Sequence, residues 1–266
     1  MSPFILFSFV LLYFVVLLFV AYRTSRNSTN DTFFIGNKSS NWMLVAFGMI
    51  GTSLSGVTFV SVPGGVGTGN FFYFQIVIGY LLGYLVIAFV LLPLYYKMNL
   101  TSIYTYLEKR FGINAHKAGA FFFILSRTVG ATARLYLVIN ILQLFILDRL
   151  GIPFIVTAVV ILAMILLYTF EGGVKTIIYT DTLQTSGMLI GLVVCIIVII
   201  KAMGTDFSGV LSMMTDKGYT RIFNTDIKAG SFFLKHLVVG MFIAIAMTGL
   251  DQDMMQKNLS VNNLKD

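Results

Sequence analysis

Seven long apolar runs, one after another, constrain this chain more than any other feature of it. The first, Pro3 to Tyr22, carries no charged residue and no break. As a helix it rises about 30 Å, the depth of a bilayer's hydrocarbon. Further runs follow at about 42–62, 71–96, 118–147, 152–170, 177–202 and 230–250. Charged residues make up 11% of the chain and hydrophobic ones 58%, against roughly 25% charged in soluble domains. The chain is therefore expected to be an all-α integral membrane protein whose solvent is the lipid bilayer. No positive charge precedes the first run and no small-residue cleavage signal follows it, so it is expected to stay as a helix.

Charge gives an orientation. With the loop after the first run on the inner face, that face collects Arg23, Arg26, Lys38, Lys97, Lys109, Arg110, Lys117, Lys175, Lys257 and Lys265. The outer face collects Arg149, Lys201, Lys217, Arg221, Lys228 and Lys235. Basic residues favour the cytoplasmic side, so the N-terminus is expected outside a cell (inner or plasma) membrane. The net charge of +7 then reflects basic loops, not a nucleic-acid footprint, and no nucleic-acid partner is expected. One cysteine, Cys195, rules out disulfide and thiolate–metal frameworks and is expected as a small core residue. His116 and His236 share no close spacing, which speaks against a histidine metal or catalytic site. Without a phosphate-binding glycine loop, nucleophile triad or paired acid–base carboxylates, the chain is not expected to be an enzyme or to hold a cofactor.

Two of the seven runs are irregular. The second starts apolar behind Trp42, turns into Gly51, Thr52, Ser53, Ser55, Gly56 and Thr58, and resumes at Phe59-Val60 before Pro63 and glycines 64, 65, 67 and 69. Small and hydroxyl residues permit close helix contact, and glycine also lowers the cost of opening the backbone. One reading is a packing helix with no site. The other is a discontinuous helix, tolerated at membrane depth only where it is buried or lines a wet cavity, as in many secondary transporters. The seventh run repeats the oddity, with Thr248 and Gly249 interrupting it and Asp251 and Asp253 close behind. Two interrupted spans separated by four ordinary ones match an inverted-repeat layout. The bland alternative ends a helix at Gly249 and leaves the aspartates solvated.

Arg127 and Arg134 lie seven residues apart on the fourth run, hence on one helical face. A central arginine costs about 2.5–3.5 kcal/mol on insertion scales, so each needs a partner or a wet cavity. They could recognise a substrate carboxylate through a bidentate fork. Equally, they could be structural, paired with Asp181, Glu171 or a helix-end carbonyl.

Four blocks resemble one family: GTSLSGVTF at 51–59, SIYTYLEKRFG at 102–112, EGGVKTIIYTDTLQ at 171–184 and DQDMMQKNLS at 251–260. The chain is similar to the sodium:solute symporters, which include sodium/glucose, sodium/proline and sodium/sialic acid cotransporters. The resemblance implies a LeuT-like inverted-repeat core preceded by one extra helix. Family members have thirteen or so helices, so the chain looks like an N-terminal half carrying seven transmembrane helices. On that pattern residues 1–266 form a single, incomplete transporter domain. Within it, 1–41 are the extra helix and inner loop, 42–203 the first five-helix repeat, 204–229 an outer loop, and 230–266 the first helix of the second repeat with an inner tail.

The resemblance also implies roles. Gly51 and Leu54 fall where backbone carbonyls of the broken helix bind sodium, the metal ion of the main site. Asp181, at the inner start of the sixth span, falls where family members place an acid near the sodium exit path or a second sodium site, with a helix N-cap as the competing explanation. Ser53, Ser55, Thr58, Tyr73 and Gln75 match substrate positions and suit a small polar solute such as a sugar or sugar acid. Met247 and Thr248 stand near the place where galactose-transporting relatives carry an aromatic gate, a departure that speaks against a simple hexose. A sialic acid symporter carries an arginine on the helix of Arg127 and Arg134, between those two positions. The implied activity is sodium-coupled symport by alternating access, with sodium as the coupling ion. The alternative is a symporter-like sensory or scaffold module of a signalling protein.

Overall fold

The computed structural model describes residues 3–25, 40–100, 102–169 and 173–262. Every regular element among them is helical. In chain order these are α1 (Pro3–Ser25), α2 (Trp42–Ser53), α3 (Gly56–Gly69), α4 (Tyr73–Val86) and α5 (Leu92–Lys97). Next come α6 (Ile103–Phe111), α7 (Ile113–Leu142), α8 (Phe154–Thr169) and α9 (Gly173–Ala202). The last three are α10 (Phe207–Asp216), α11 (Phe233–Ala244) and α12 (Gln252–Leu259). Three wider π turns, Ile87–Leu91, Gln143–Leu147 and Ile245–Gly249, extend α4, α7 and α11 without a gap.

Helix stands at each of the seven apolar runs, with shifted boundaries. By length and composition four described helical stretches are sufficient to cross a membrane, and the bent pair 233–249 with 252–259 makes a fifth. Trp42–Ser53 and Phe154–Leu167 are shorter apolar helices. Large apolar side chains such as Phe89, Ile155 and Phe122 lie 66–76% exposed. Such exposure fits a surface that meets lipid rather than water.

Several expectations need correction. The second span does not stop at Pro63: α3 carries the proline inside it and continues through the glycines to Gly69. Proline removes only one backbone donor, and α3 stops where Asn70 adopts φ 52 and its N–H turns back to the Val66 carbonyl. The polar stretch 97–117, between the third and fourth runs, holds a helix of its own, α6. Ser102 caps α6 by accepting the Tyr104 amide, and α7 begins at Ile113, five residues earlier than expected. Gly112, at φ 87, makes the turn between them, and Gly119 lets α7 sit against the Tyr104 and Leu107 side chains. The tail after the seventh run is helical as well, α12 occupying 252–259. Cys195 is exposed on α9 rather than packed in a core.

The chain packs as two compact units. The first unit comprises residues 1–41 and 101–180, the second 42–100 and 181–266. In the first, α1 lies against α8 and the π turn 143–147. There the half-turn into α8 is held by Gln143, which donates to Asp148 Oδ1 and the Ile152 carbonyl, both at 2.6 Å, and accepts from Thr157 Oγ1 at 2.9 Å.

In the second unit α4 and α11 pack extensively against one another. A Cβ on Gly79 would strike the Leu237 carbonyl and Gly240 Cα, and one on Gly240 would strike the Ile76 carbonyl. This glycine seam brings two backbones into direct contact, the packing available when lipid supplies no hydrophobic drive. Above the seam Gln75, fully buried, pins the segment before α11. Its Oε1 accepts the Asn224 amide at 3.1 Å, and its Nε2 lies within 3.2 Å of the Phe72 and Ser231 carbonyls and of His236 Nδ1.

Candidate functional site

The candidate site lies within the second unit, where α2 stops. Leu54 closes the last turn of α2, its amide donating to the Ile50 carbonyl at 2.9 Å. Ser55 is then extended (φ −112, ψ 160) and caps α3, its Oγ accepting the Thr58 amide at 3.2 Å and sharing a 3.0 Å bond with Thr58 Oγ1. That amide is the donor the Leu54 carbonyl would use in a continuous helix. The carbonyls at the end of α2 therefore lack regular helical donors, and the first amides of α3 lack regular acceptors. A hard cation suits the first set and an acceptor-bearing solute the second. The packing-rod reading of this span is thus replaced by a break at residues 54–55.

Gly51, buried in the last full turn of α2, sets how close α9 comes. A Cβ there would overlap Thr185 Oγ1 and approach the Asp181 carbonyl to 3.3 Å. Thr185 Oγ1 in turn donates to that carbonyl at 2.6 Å, and Thr182 Oγ1 reaches the Leu44 carbonyl at 3.4 Å. This close approach presents Asp181 to the end of α2.

Asp181 is not a helix cap, because α9 begins eight residues earlier at Gly173. Its Oδ2 accepts from Lys257 Nζ at 2.7 Å and from Thr52 Oγ1 at 3.2 Å. Lys257 Nζ also donates to Thr52 Oγ1 at 2.9 Å. The lysine is 4% exposed, which a charged ammonium tolerates only with a counter-charge and hydrogen-bond partners. Lys257 stands among the basic residues assigned to the inner face. Burial against Asp181 removes it from that count.

The second interruption also exists, but it is closed differently. The chain bends by 65° between Gly249 and Gln252, and Asp251 caps α12 by accepting the Met254 amide. The Gly249 carbonyl is taken by Tyr95 Oη at 3.0 Å, while Tyr96 Oη donates to the Asn258 and Val261 carbonyls at 3.1 and 2.9 Å. Consecutive tyrosines of α5 thus hold both sides of the bend, and Gly249 offers no bare carbonyl there.

The remaining expected residues separate. Ser53 is exposed, and Leu54, Ser55 and Thr58 are half-buried at the break. Tyr73 is 40% exposed, its Oη 3.2 Å from Tyr80 Oη. Gln75 is corrected: its amide is engaged in holding residues 224–236 and is not available to a solute. Thr248 is buried, whereas Met247 is 59% exposed. Arg134 is exposed, and Arg127 lies over the Phe123 ring at 5.6 Å. Asp181, one of the partners considered for these arginines, is bonded to Lys257, and Glu171, another, lies outside the described residues. Thr52 and Lys257 carry the site's polar contacts yet were not singled out as site residues. A usable signal was present, since Met254, Met255 and Leu259 stand beside Lys257 in a segment otherwise polar enough to pass as tail.

The sodium:solute symporter family profile matches residues 33–265. Among the similar proteins, the sodium/sialic acid symporter NanT of Aliivibrio fischeri is 24% identical over 262 residues, spanning 92% of this chain and 48% of the relative. The sodium/sialic acid symporter SiaT of Proteus mirabilis is 26% identical, with 92% and 49% spanned. Sodium/glucose cotransporter 1 of Ovis aries is 29% identical over 65% of this chain and 26% of its own. The chain therefore spans about half the length of the two sialic acid symporters. A solved Na+-coupled sialic acid symporter, in a substrate-bound outward-open state, superposes with a TM-score of 0.85 at 24% identity. It covers 97% of this chain and 55% of its own. That likeness gives the fold, which is LeuT-like.

Proposed function

The chain belongs to the sodium:solute symporter family, and from that premise we propose that it forms part of a multi-pass, sodium-coupled symporter for a small polar organic solute. The observation that carries the reading is the break between α2 and α3. It leaves the Leu54 carbonyl without its helical amide, two residues from Thr52, whose hydroxyl meets the half-buried Asp181 carboxylate. In this reading the Gly51 and Leu54 carbonyls supply oxygen to sodium, and Asp181 lies on the ion's path. Ser53, Ser55, Thr58 and Tyr73 border the solute, with Thr248 and Met247 near it on the seventh span. Sodium favours the outward-open state, and its downhill entry drives uptake of the solute by alternating access. A sugar or sugar acid suits hydroxyl donors beside apolar walls, and the sialic acid symporters among the relatives make an acidic sugar the first solute to try.

Purified complete protein reconstituted in liposomes tests the proposal with labelled sugars, sugar acids and amino acids, each with and without an inward sodium gradient. Uptake of a sugar or sugar acid only with sodium is expected. Uptake equal in sodium and choline, or no uptake of any solute in the panel, would remove the reading.

A further inference from the structure

We infer that the Lys257 ammonium is a tethered competitor of sodium for the oxygens of Asp181 and Thr52, and that sodium reaches them by displacing it. The inference rests on the reading of Asp181 as part of the sodium path and adds a residue to it. Lys257 is the one charged side chain that is buried among the described residues. Its Nζ takes two oxygens at once, Asp181 Oδ2 at 2.7 Å and Thr52 Oγ1 at 2.9 Å, and these oxygens are themselves 3.2 Å apart. A carboxylate and a hydroxyl so close form a donor set of the kind a hard monovalent cation uses, and the ammonium already sits on it. Two unit positive charges on the same carboxylate oxygen would repel strongly where water is scarce. Sodium binding and the Lys257 bond therefore exclude one another.

The consequence reaches an element. Lys257 rides on α12, which follows the 65° bend and is joined to α5 through the Tyr96 hydroxyl. Releasing the ammonium removes the side-chain bonds by which α12 is tied to Thr52 on α2 and Asp181 on α9. Occupancy at Asp181 is thereby coupled to freedom of the short helix beyond the bend, without any change in total charge at the carboxylate.

Sodium-dependent thermal stabilisation of the purified complete protein, with choline chloride holding ionic strength constant, reads the competition directly. Lys257→Met keeps the stem and removes the competitor. The sodium concentration for half-maximal stabilisation is expected to fall about tenfold, and Lys257→Arg should restore it to within about twofold of the parent. An unchanged or higher requirement in Lys257→Met overturns the inference. Asp181→Asn separates the two levels: if it leaves sodium stabilisation as in the parent, the reading of Asp181 itself fails, whereas a lost response there with an unchanged Lys257→Met fails the competition alone. Should Lys257→Met not fold, acylation of Lys257 in the parent protein, followed by mass spectrometry, needs no variant. Labelling is expected to rise with sodium and not with choline, and equal protection in both would overturn the inference.

Discussion

Gly51 illustrates how much a single residue decides here. The only side chain that fits against Thr185 is none, because even a methyl group would overlap the hydroxyl. Gly51→Ala is expected to cost about 1–3 kcal/mol as overpacking, measured as a lower unfolding temperature in the purified protein, with Thr185→Ala recovering part of it. A recovery of zero would mean that α2 and α9 are not in contact there. Gly51 was legible as a candidate from the sequence, but through a family likeness and for its carbonyl. Its packing role was not, since the neighbour is more than a hundred residues away. The same separation hid Lys257. Its spacing from Asp181 is 76 residues, and no local pattern marks a lysine in a polar tail as the buried partner of an acid.

At the level of elements, each irregular span has its own closing device. Ser55 caps α3 and so stabilises the break by holding the chain out of a continuous helix. Ser55→Ala removes that acceptor and is expected to cost about 1 kcal/mol. Hydrogen exchange should quicken at the first amides of α3, and unchanged exchange there would show that the cap contributes nothing. The bend after Gly249 depends instead on Tyr95. Tyr95→Phe strands a buried carbonyl, at a cost of about 1–3 kcal/mol, and should lower thermal stability while leaving helix content by circular dichroism unchanged. A variant as stable as the parent would mean that another donor serves Gly249. The glycine and hydroxyl signature foretold where the chain breaks, because backbone freedom is a local property. The devices that close the breaks come from other helices, and for that reason only the serine was within reach of local reading.

Across the whole molecule, the apolar runs set the solvent and the basic residues set an orientation. Lys257 is removed from the inner-face count by burial, which leaves nine inner residues against six outer ones, still an inner excess. The N-terminus is therefore expected outside. A tag placed there should be cleaved by protease added to intact cells, and protection until lysis would reverse the assignment. The exposed apolar faces of α7, α8 and α9 agree with a molecule that meets lipid over much of its surface.

Composition and run length by themselves determined that this chain is helical and membrane-spanning, because lipid leaves the backbone little choice. The small and hydroxyl residues determined where two spans give way. Only the tertiary structure decided what meets at those places: a lysine set on an aspartate, a tyrosine on a carbonyl, and a glutamine committed to the segment before α11. Each of these joins residues far apart in sequence, and a buried polar group is defined by its partner, which local pattern does not encode.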